Sequence, residues 1–411
     1  MSIIRSLVRA GGAFALAGVA LSCDHSAELF MPEPADDIFR SYVALGNSIT
    51  AGFQAGGIND ATQQLSYAVL LGRQMRTRFA YPSFAMPGCP APIVDWRTEA
   101  RLGAPAAPPC AFRNTELATE VLNNVAVPSA GVTEVHSDQS PYHDDHTTLV
   151  LGGKTQVERA LDARPTFATI WIGNNDALHP ATAGMVPPPP GIRGITPQAT
   201  FTQKYDEMIN DLLTGAPGIK GVLIGVVRVP SAPRFFPVTA FQDATFRTEL
   251  GNRVGGSITV HPNCTTQPGA GVLVSWEIVR RMRMGEHPRL IVCEKNTPGV
   301  PAPVGDIFII DAAEQAALNM AVDDYNSYLQ QKANAIGFAY YDPNPTLLAE
   351  RRTGGCFAVI PNPAAAASGS PFGSCMSNDG VHPAAAGQRL IANALIVAIN
   401  AKYATTLPAV P

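Results

Sequence analysis

Three short blocks whose residue types together could break an ester stand far apart in this chain. Ser48 lies in Tyr42-Val-Ala-Leu-Gly-Asn-Ser-Ile-Thr50, where strand-like residues run into Gly46 and Asn47. Asp379 and His382 share Asp379-Gly-Val-His382, and Asn175 sits in Gly173-Asn-Asn-Asp176. A serine hydroxyl is a poor nucleophile until a base takes its proton, and the base needs an acid to hold its tautomer. Acyl transfer also needs donors for the negative oxygen of its tetrahedral intermediate. These residues fill the parts: Ser48 as nucleophile, His382 as general base and then acid, Asp379 as the orienting acid, Asn175 as a donor. Taken singly the motifs are weak, because most serines after strands merely cap or turn.

If Ser48 and His382 share a site, the chain between them must leave and return. One catalytic domain with long insertions is the simpler reading, although length alone suggests two or three domains. Strands are expected at Tyr42–Leu45, Thr166–Ile172, Lys220–Val227, Asp306–Ile310 and Phe338–Tyr341. Helices are expected at about Gln64–Arg76, Thr155–Leu161, Pro197–Leu213, Ala312–Asn334 and Pro383–Asn400. In the first helix Leu65, Val69 and Leu70 have the spacing of one buried face. Apolar runs such as Thr166–Ile172 suit strands covered on both faces, and strand–helix alternation implies a mainly parallel sheet between helices. The Gly173 block directly follows one such run, at the carboxyl end where ligands bind in open α/β sheets. Residues 114–150 read as mixed and polar, and 228–303 break the rhythm with scattered prolines and glycines. Val274–Met284 within them reads as a packed helix with a solvated basic face, or as an amphipathic cover over the site.

The spaced blocks resemble the SGNH (GDSL-type) hydrolase family. Gly46-Asn47-Ser48-Ile49 fits its first block with Asn in place of Asp. Gly173, Asn174, Asn175 and Asp176 meet its Gly-x-Asn-Asp block, and Asp379 with His382 meet its Asp-x-x-His block. The resemblance implies an α/β fold, a three-layer α/β/α sandwich of flavodoxin-like type with a mainly parallel central sheet. It also implies the triad Ser48, His382 and Asp379, and an oxyanion hole built from Ser48, Gly88 and Asn175. Gly88, in Ala85-Met-Pro-Gly-Cys-Pro90, fills the least specific block. The expected domain covers 41–403, with insertions at about 108–150 and 228–303. The expected activity is a serine esterase or lipase acting through an acyl-enzyme on small-molecule or lipid esters, without cofactor or metal. A carbohydrate O-deacetylase, a thioesterase or a non-catalytic surface-anchored binding lipoprotein are the alternatives.

Composition sets outer limits. The chain is 46% hydrophobic and 15% charged, which suits a globular protein and not a disordered one. Its net charge of -4, with no basic stripe, disfavours nucleic acid. Residues 1–22 read as a signal peptide: Arg5 and Arg9, then an apolar run too short to span a membrane. Cys23 follows a small-residue cleavage site as in a bacterial lipobox, although Ala20 stands where that pattern has a larger aliphatic residue. A lipidated Cys23 would give membrane association at the cell envelope, with residues 23–40 as a tether. Simple periplasmic or secreted export is the other outcome. Without Cys23 six cysteines remain, open to 15 pairings. Local closure favours Cys89–Cys110, Cys264–Cys293 and Cys356–Cys375. His143-Asp-Asp-His146, with His136 nearby, could ligate a metal, but such loops are more often solvated. Gly152-Gly-Lys-Thr155 lacks the earlier glycine of a phosphate loop.

Overall fold

The structure is a computed structural model that describes residues 33–103, 113, 121–135, 145–182, 186–188, 193–266, 271–294, 297, 308–352 and 355–411. The expected signal peptide, Cys23, Cys110, His136 and His143 lie outside the described residues. Within the expected tether, Asp36 caps a turn over Asp37–Phe39, and the buried Phe39 ring meets Phe167 edge-on.

The central sheet has four parallel strands in the order β1 (Tyr42–Gly46), β2 (Phe167–Trp171), β3 (Lys220–Ile224) and β4 (Ala339–Tyr341). The labelled helices, in chain order, are α1 (Ser48–Ala51), α2 (Tyr67–Gln74), α3 (Gln156–Asp162), α4 (Asn174–Thr182), α5 (Gln198–Gly215), α6 (Glu277–Met284), α7 (Ala312–Ile336) and α8 (Ala385–Tyr403). Successive strand residues face opposite sides, so each strand feeds two cores. Val43, Leu45, Ala168, Ile170 and Leu223 pack with α3, α5 and α7, through residues such as Val157, Met208 and Val322. Tyr42, Ala44, Phe167, Trp171 and Val222 pack with α2 and α8, through Tyr67, Leu71, Ile391 and Leu395. The result is the expected mixed α/β sandwich with a parallel sheet in its middle layer.

Three differences from the sequence reading have local causes. Ser66 accepts the Val69 amide and caps α2, so the helix expected at Gln64–Arg76 runs only over Tyr67–Gln74, a separate short helix over Asp60–Gln63 precedes it, and Leu65 between them stays exposed. Within the stretch read as mixed and polar, Asn123–Val127 lies along β1: Val125 and Val127 donate their amides to Ala44 and Gly46 at 3.0 and 3.2 Å. Ile309–Ile310 does not join the central sheet. It pairs antiparallel with Leu273–Ser275, which pairs in turn with Phe235–Pro237.

That small sheet belongs to a third core, built from described residues such as Phe236, Leu250, Val274, Trp276 and Ile309, with Trp96, Phe357, Phe372, Cys375 and Met376. Disulfides Cys264–Cys293 and Cys356–Cys375 brace it. Helix α6 is a packed helix here: Ile278, Val279 and Met282 are buried, and Glu277 holds Arg280 and Arg281 at its rim. Cys89 is also disulfide-bonded.

Candidate active site

Ser48 stands where β1 becomes α1. The strand ends because Gln156 of α3, fully buried, takes both backbone groups of Gly46: its Oε1 accepts the amide and its Nε2 donates to the carbonyl, each at 3.0 Å. Asn47 then caps α1, its Oδ1 accepting the Ile49 amide at 3.2 Å. Asn serves as an N-cap as well as Asp does. Ser48 is thus the first helical residue, and its amide has no protein acceptor among the described residues.

His382 and Asp379 share a tight turn just before α8. Asp379 Oδ1 accepts the amides of Val381 and His382, each at 2.9 Å. Its Oδ2 accepts the Gly56 amide and pairs with His382 Nδ1, each at 2.8 Å. With Nδ1 carrying a proton toward the carboxylate, the neutral ring presents Nε2 as an acceptor. Nε2 lies 2.8 Å from Ser48 Oγ. Burial pushes the Asp379 carboxyl up, but the charge and hydrogen bond of His382, with the two turn amides, bring it well below the usual carboxylate range. It therefore stays ionised.

The segment after α1 clamps this turn. The Phe53 ring lies 4.9 Å from the imidazole, and the Ala55 amide donates to Ser377 Oγ. From the other side, Arg234 donates to the Asp379 carbonyl at 3.1 Å while pairing with Glu277 at 3.0 Å. Gln388, one turn into α8, accepts the Tyr67 amide and donates to the Ile49 carbonyl. The helix that follows His382 is thereby bonded to the one that carries Ser48.

Of the expected oxyanion donors, Asn175 lies at the start of α4, directly after β2. Gly173 makes that exit with φ +120, and an added Cβ there would sit 2.6 Å from Val226. Asn175 Nδ2 donates to the Ala130 carbonyl at 2.9 Å. Gly88, the other expected donor, lies against the segment that follows α1. It has φ +121, packs on Ile58 with no room for a Cβ, and is followed by Cys89, whose amide bonds the Ile58 carbonyl. A candidate donor that sequence reasoning missed is the Ser129 amide. Val127 ends beside Gly46, so the turn Pro128–Ala130 leaves the sheet at the same rim as Ser48. Ser129 is held in a left-handed conformation, φ 65, with its amide unbonded among the described residues. The sequence signal was Val125-Ala-Val127 running into Pro-Ser-Ala-Gly, the same strand-to-small-residue step that marks Ser48, but too short to read as a strand.

Polar side chains fix that turn from behind. Glu134 accepts the Gly131 amide and pairs with Arg193, both residues being buried. Asp176 accepts the Val132 amide and the Thr196 hydroxyl. Burial pushes the Asp176 carboxyl up to about 6, against the pull of Thr196, Arg193 and the Val132 amide, with Glu134 adding to the rise.

Beside the Ser48–His382 pair is a cavity of about 90 Å³. Its walls include Ile49, Asn174, Val381 and Pro383, each adjacent in sequence to a residue named above. Of the suggested metal-ligating histidines only His146 is described, and its ring meets the Cys89 carbonyl. No group of three side chains able to hold a metal occurs among the described residues.

Among curated proteins, none matches the sequence. Solved structures similar at a distance include three of bacterial proteins. One is from a protein of Parabacteroides merdae assigned as a GDSL-like lipase, with 12% identity, 87% of this chain and 95% of that chain covered, and TM-score 0.37. The second is an extracellular lipase of Streptomyces rimosus, with 16% identity, coverage of 87% and 99%, and TM-score 0.34. The third is a phospholipase A1 of Streptomyces albidoflavus, with 16% identity, coverage of 88% and 98%, and TM-score 0.32. These likenesses are too remote to bear on activity. The model of the GDSL-like lipase/acylhydrolase family matches residues 42–395, nearly the whole described chain, and the protein belongs to that family.

Proposed function

We propose that the protein is an exported serine esterase or lipase that hydrolyses carboxylic esters through an acyl-enzyme on Ser48. The observation that carries this reading is the unbroken relay from Ser48 Oγ to His382 Nε2 and from His382 Nδ1 to Asp379, both contacts at 2.8 Å. His382 takes the serine proton as Oγ attacks the ester carbonyl. The resulting imidazolium lies against the ionised Asp379. His382 then returns the proton to the leaving alkoxide, and the alcohol departs. A water, deprotonated by the same Nε2, attacks the acyl-serine and restores the enzyme.

The negative oxygen of each tetrahedral intermediate would rest on the Ser48 and Ser129 amides and on Asn175 Nδ2. Losing one such donor typically costs about 2.7–4 kcal/mol of barrier. No step calls for a cofactor. Disulfides favour an oxidising compartment, which supports export. Acylation of Cys23 is the finer form of that reading and would hold the enzyme at the cell envelope. Thioesters could enter the same relay, since only the leaving group differs.

A fluorophosphonate probe and p-nitrophenyl esters test the catalytic reading together. The expected result is labelling at Ser48, with ester turnover reduced at least about 10³-fold in Ser48→Ala. A folded Ser48→Ala protein that kept full turnover would overturn it.

A further inference from the structure

We propose that the cavity beside Ser48 receives a linear aliphatic acyl chain of about six to nine carbons, and that Phe357 and Met376 set its length limit. The inference rests on the esterase reading above and goes on to name the acyl class and the residues that select it. The lining is almost wholly apolar: Ile49, Trp171, Leu178, Val227 and Leu347 stand among its walls. At about 10–15 Å³ of such space per water-sized group, the 90 Å³ holds about six to nine groups. An acetyl group would leave most of that space empty.

The site's own geometry gives the chain a direction. Asn175 points to Ala130 and the Ser129 turn, while its neighbour Asn174 lines the cavity and accepts the Val227 amide through Oδ1. Carbonyl oxygen and acyl chain would therefore part to opposite sides of the α4 entrance, the oxygen toward Ser129 and the chain toward Leu178 and Val227. That divergence is what a bound acyl-serine requires.

Phe357 and Met376 come from outside the sandwich, out of the third core. Each follows a cysteine of the Cys356–Cys375 disulfide, and the Cys375 amide also bonds the Cys356 carbonyl at 3.0 Å. The bond thus ties the two side chains to each other. Met376 also bridges Pro383, and the Cys375 carbonyl accepts the Ala384 amide, so this wall is fixed relative to His382. A chain-length limit built this way is rigid, and it depends on residues that touch neither the ester carbon nor the oxyanion.

The test measures kcat/KM for p-nitrophenyl acetate, butyrate, hexanoate, octanoate and palmitate, with fluorophosphonate labelling as an independent readout of Ser48. The wild type is expected to gain up to about fourfold per added methylene, peak between hexanoate and octanoate, and fall for palmitate. Met376→Trp fills the cavity and is expected to lower the octanoate-to-acetate ratio at least tenfold. Phe357→Ala enlarges the cavity and is expected to move the peak to longer chains. Opposite shifts in two folded variants, checked by circular dichroism, support the proposal. A protein that labels and turns over but prefers acetate, or whose ratio is the same in both variants, overturns the cavity assignment and leaves the esterase reading intact. A wild type that neither labels nor hydrolyses any of these esters overturns the esterase reading, and the cavity assignment falls with it.

Discussion

Asp379 and Asp176 are two buried carboxyls with opposite fates. Asp379 faces an imidazole and three amides, and these interactions outweigh burial and hold its carboxyl well below the usual carboxylate range. Asp176 has an arginine nearby but also Glu134, and burial wins, raising it from the ordinary 3.8 to about 6. A raised acid favours the folded state while it is protonated. Its contribution is complete below about pH 4 and is lost as pH rises through about 6. The shift corresponds to about 3 kcal/mol. Urea midpoints from pH 4 to pH 8 should therefore carry a downward slope from this group, and Asp176→Asn should flatten it. An identical slope in the variant would mean that Asp176 does not titrate in this window.

Two glutamines do at the level of elements what the triad cannot do for itself. Gln156 ends β1 at Gly46 and so fixes where Ser48 emerges; Gln388 bonds α8 to α1 and α2. Both are fully buried, so their bonds cannot be exchanged for water. Gln388→Leu would strand the Tyr67 amide, at about 1–3 kcal/mol, and leave the Ile49 carbonyl with the Gly52 amide alone. The expected outcome is a loss of about 1–3 kcal/mol in stability with kcat at least tenfold lower and KM little changed. A variant that lost stability alone, with kcat intact, would confine Gln388 to packing.

Across the whole molecule, the third core leans on the catalytic turn through Arg234 and on the cavity through Phe357 and Met376. Its integrity rests partly on covalent bonds. The disulfides close separations of 29 and 19 residues, worth roughly 3–4 kcal/mol each in the chain-entropy picture. Protein made in a reducing cytosol should unfold at a lower denaturant midpoint than exported protein. Exported protein should have no free thiol at these four cysteines and should sediment with membranes, and Cys23→Ser should move it to the soluble fraction. Equal midpoints for reduced and oxidised protein would show that the braces are dispensable.

The alternation of apolar runs with helical patterns, and the strand-to-small-residue steps at Ser48 and Gly173, were readable because periodicity and turn chemistry are local. Asp379 and His382 were legible for the same reason, since three residues of spacing let one turn hold both. What the chain alone left open was everything carried by distant partners. Asn123–Val127 has too few residues to announce a strand, and only its place beside β1 makes Ser129 a candidate donor. Ile309–Ile310 has the composition of a core strand, yet pairing with Leu273–Ser275 takes it into another sheet. Gln388 reads as an ordinary helix residue until burial gives it two backbone groups to satisfy. Local propensity writes the elements and the reactive types; which rim, which neighbour and which cavity wall they meet is decided by packing between residues hundreds of positions apart.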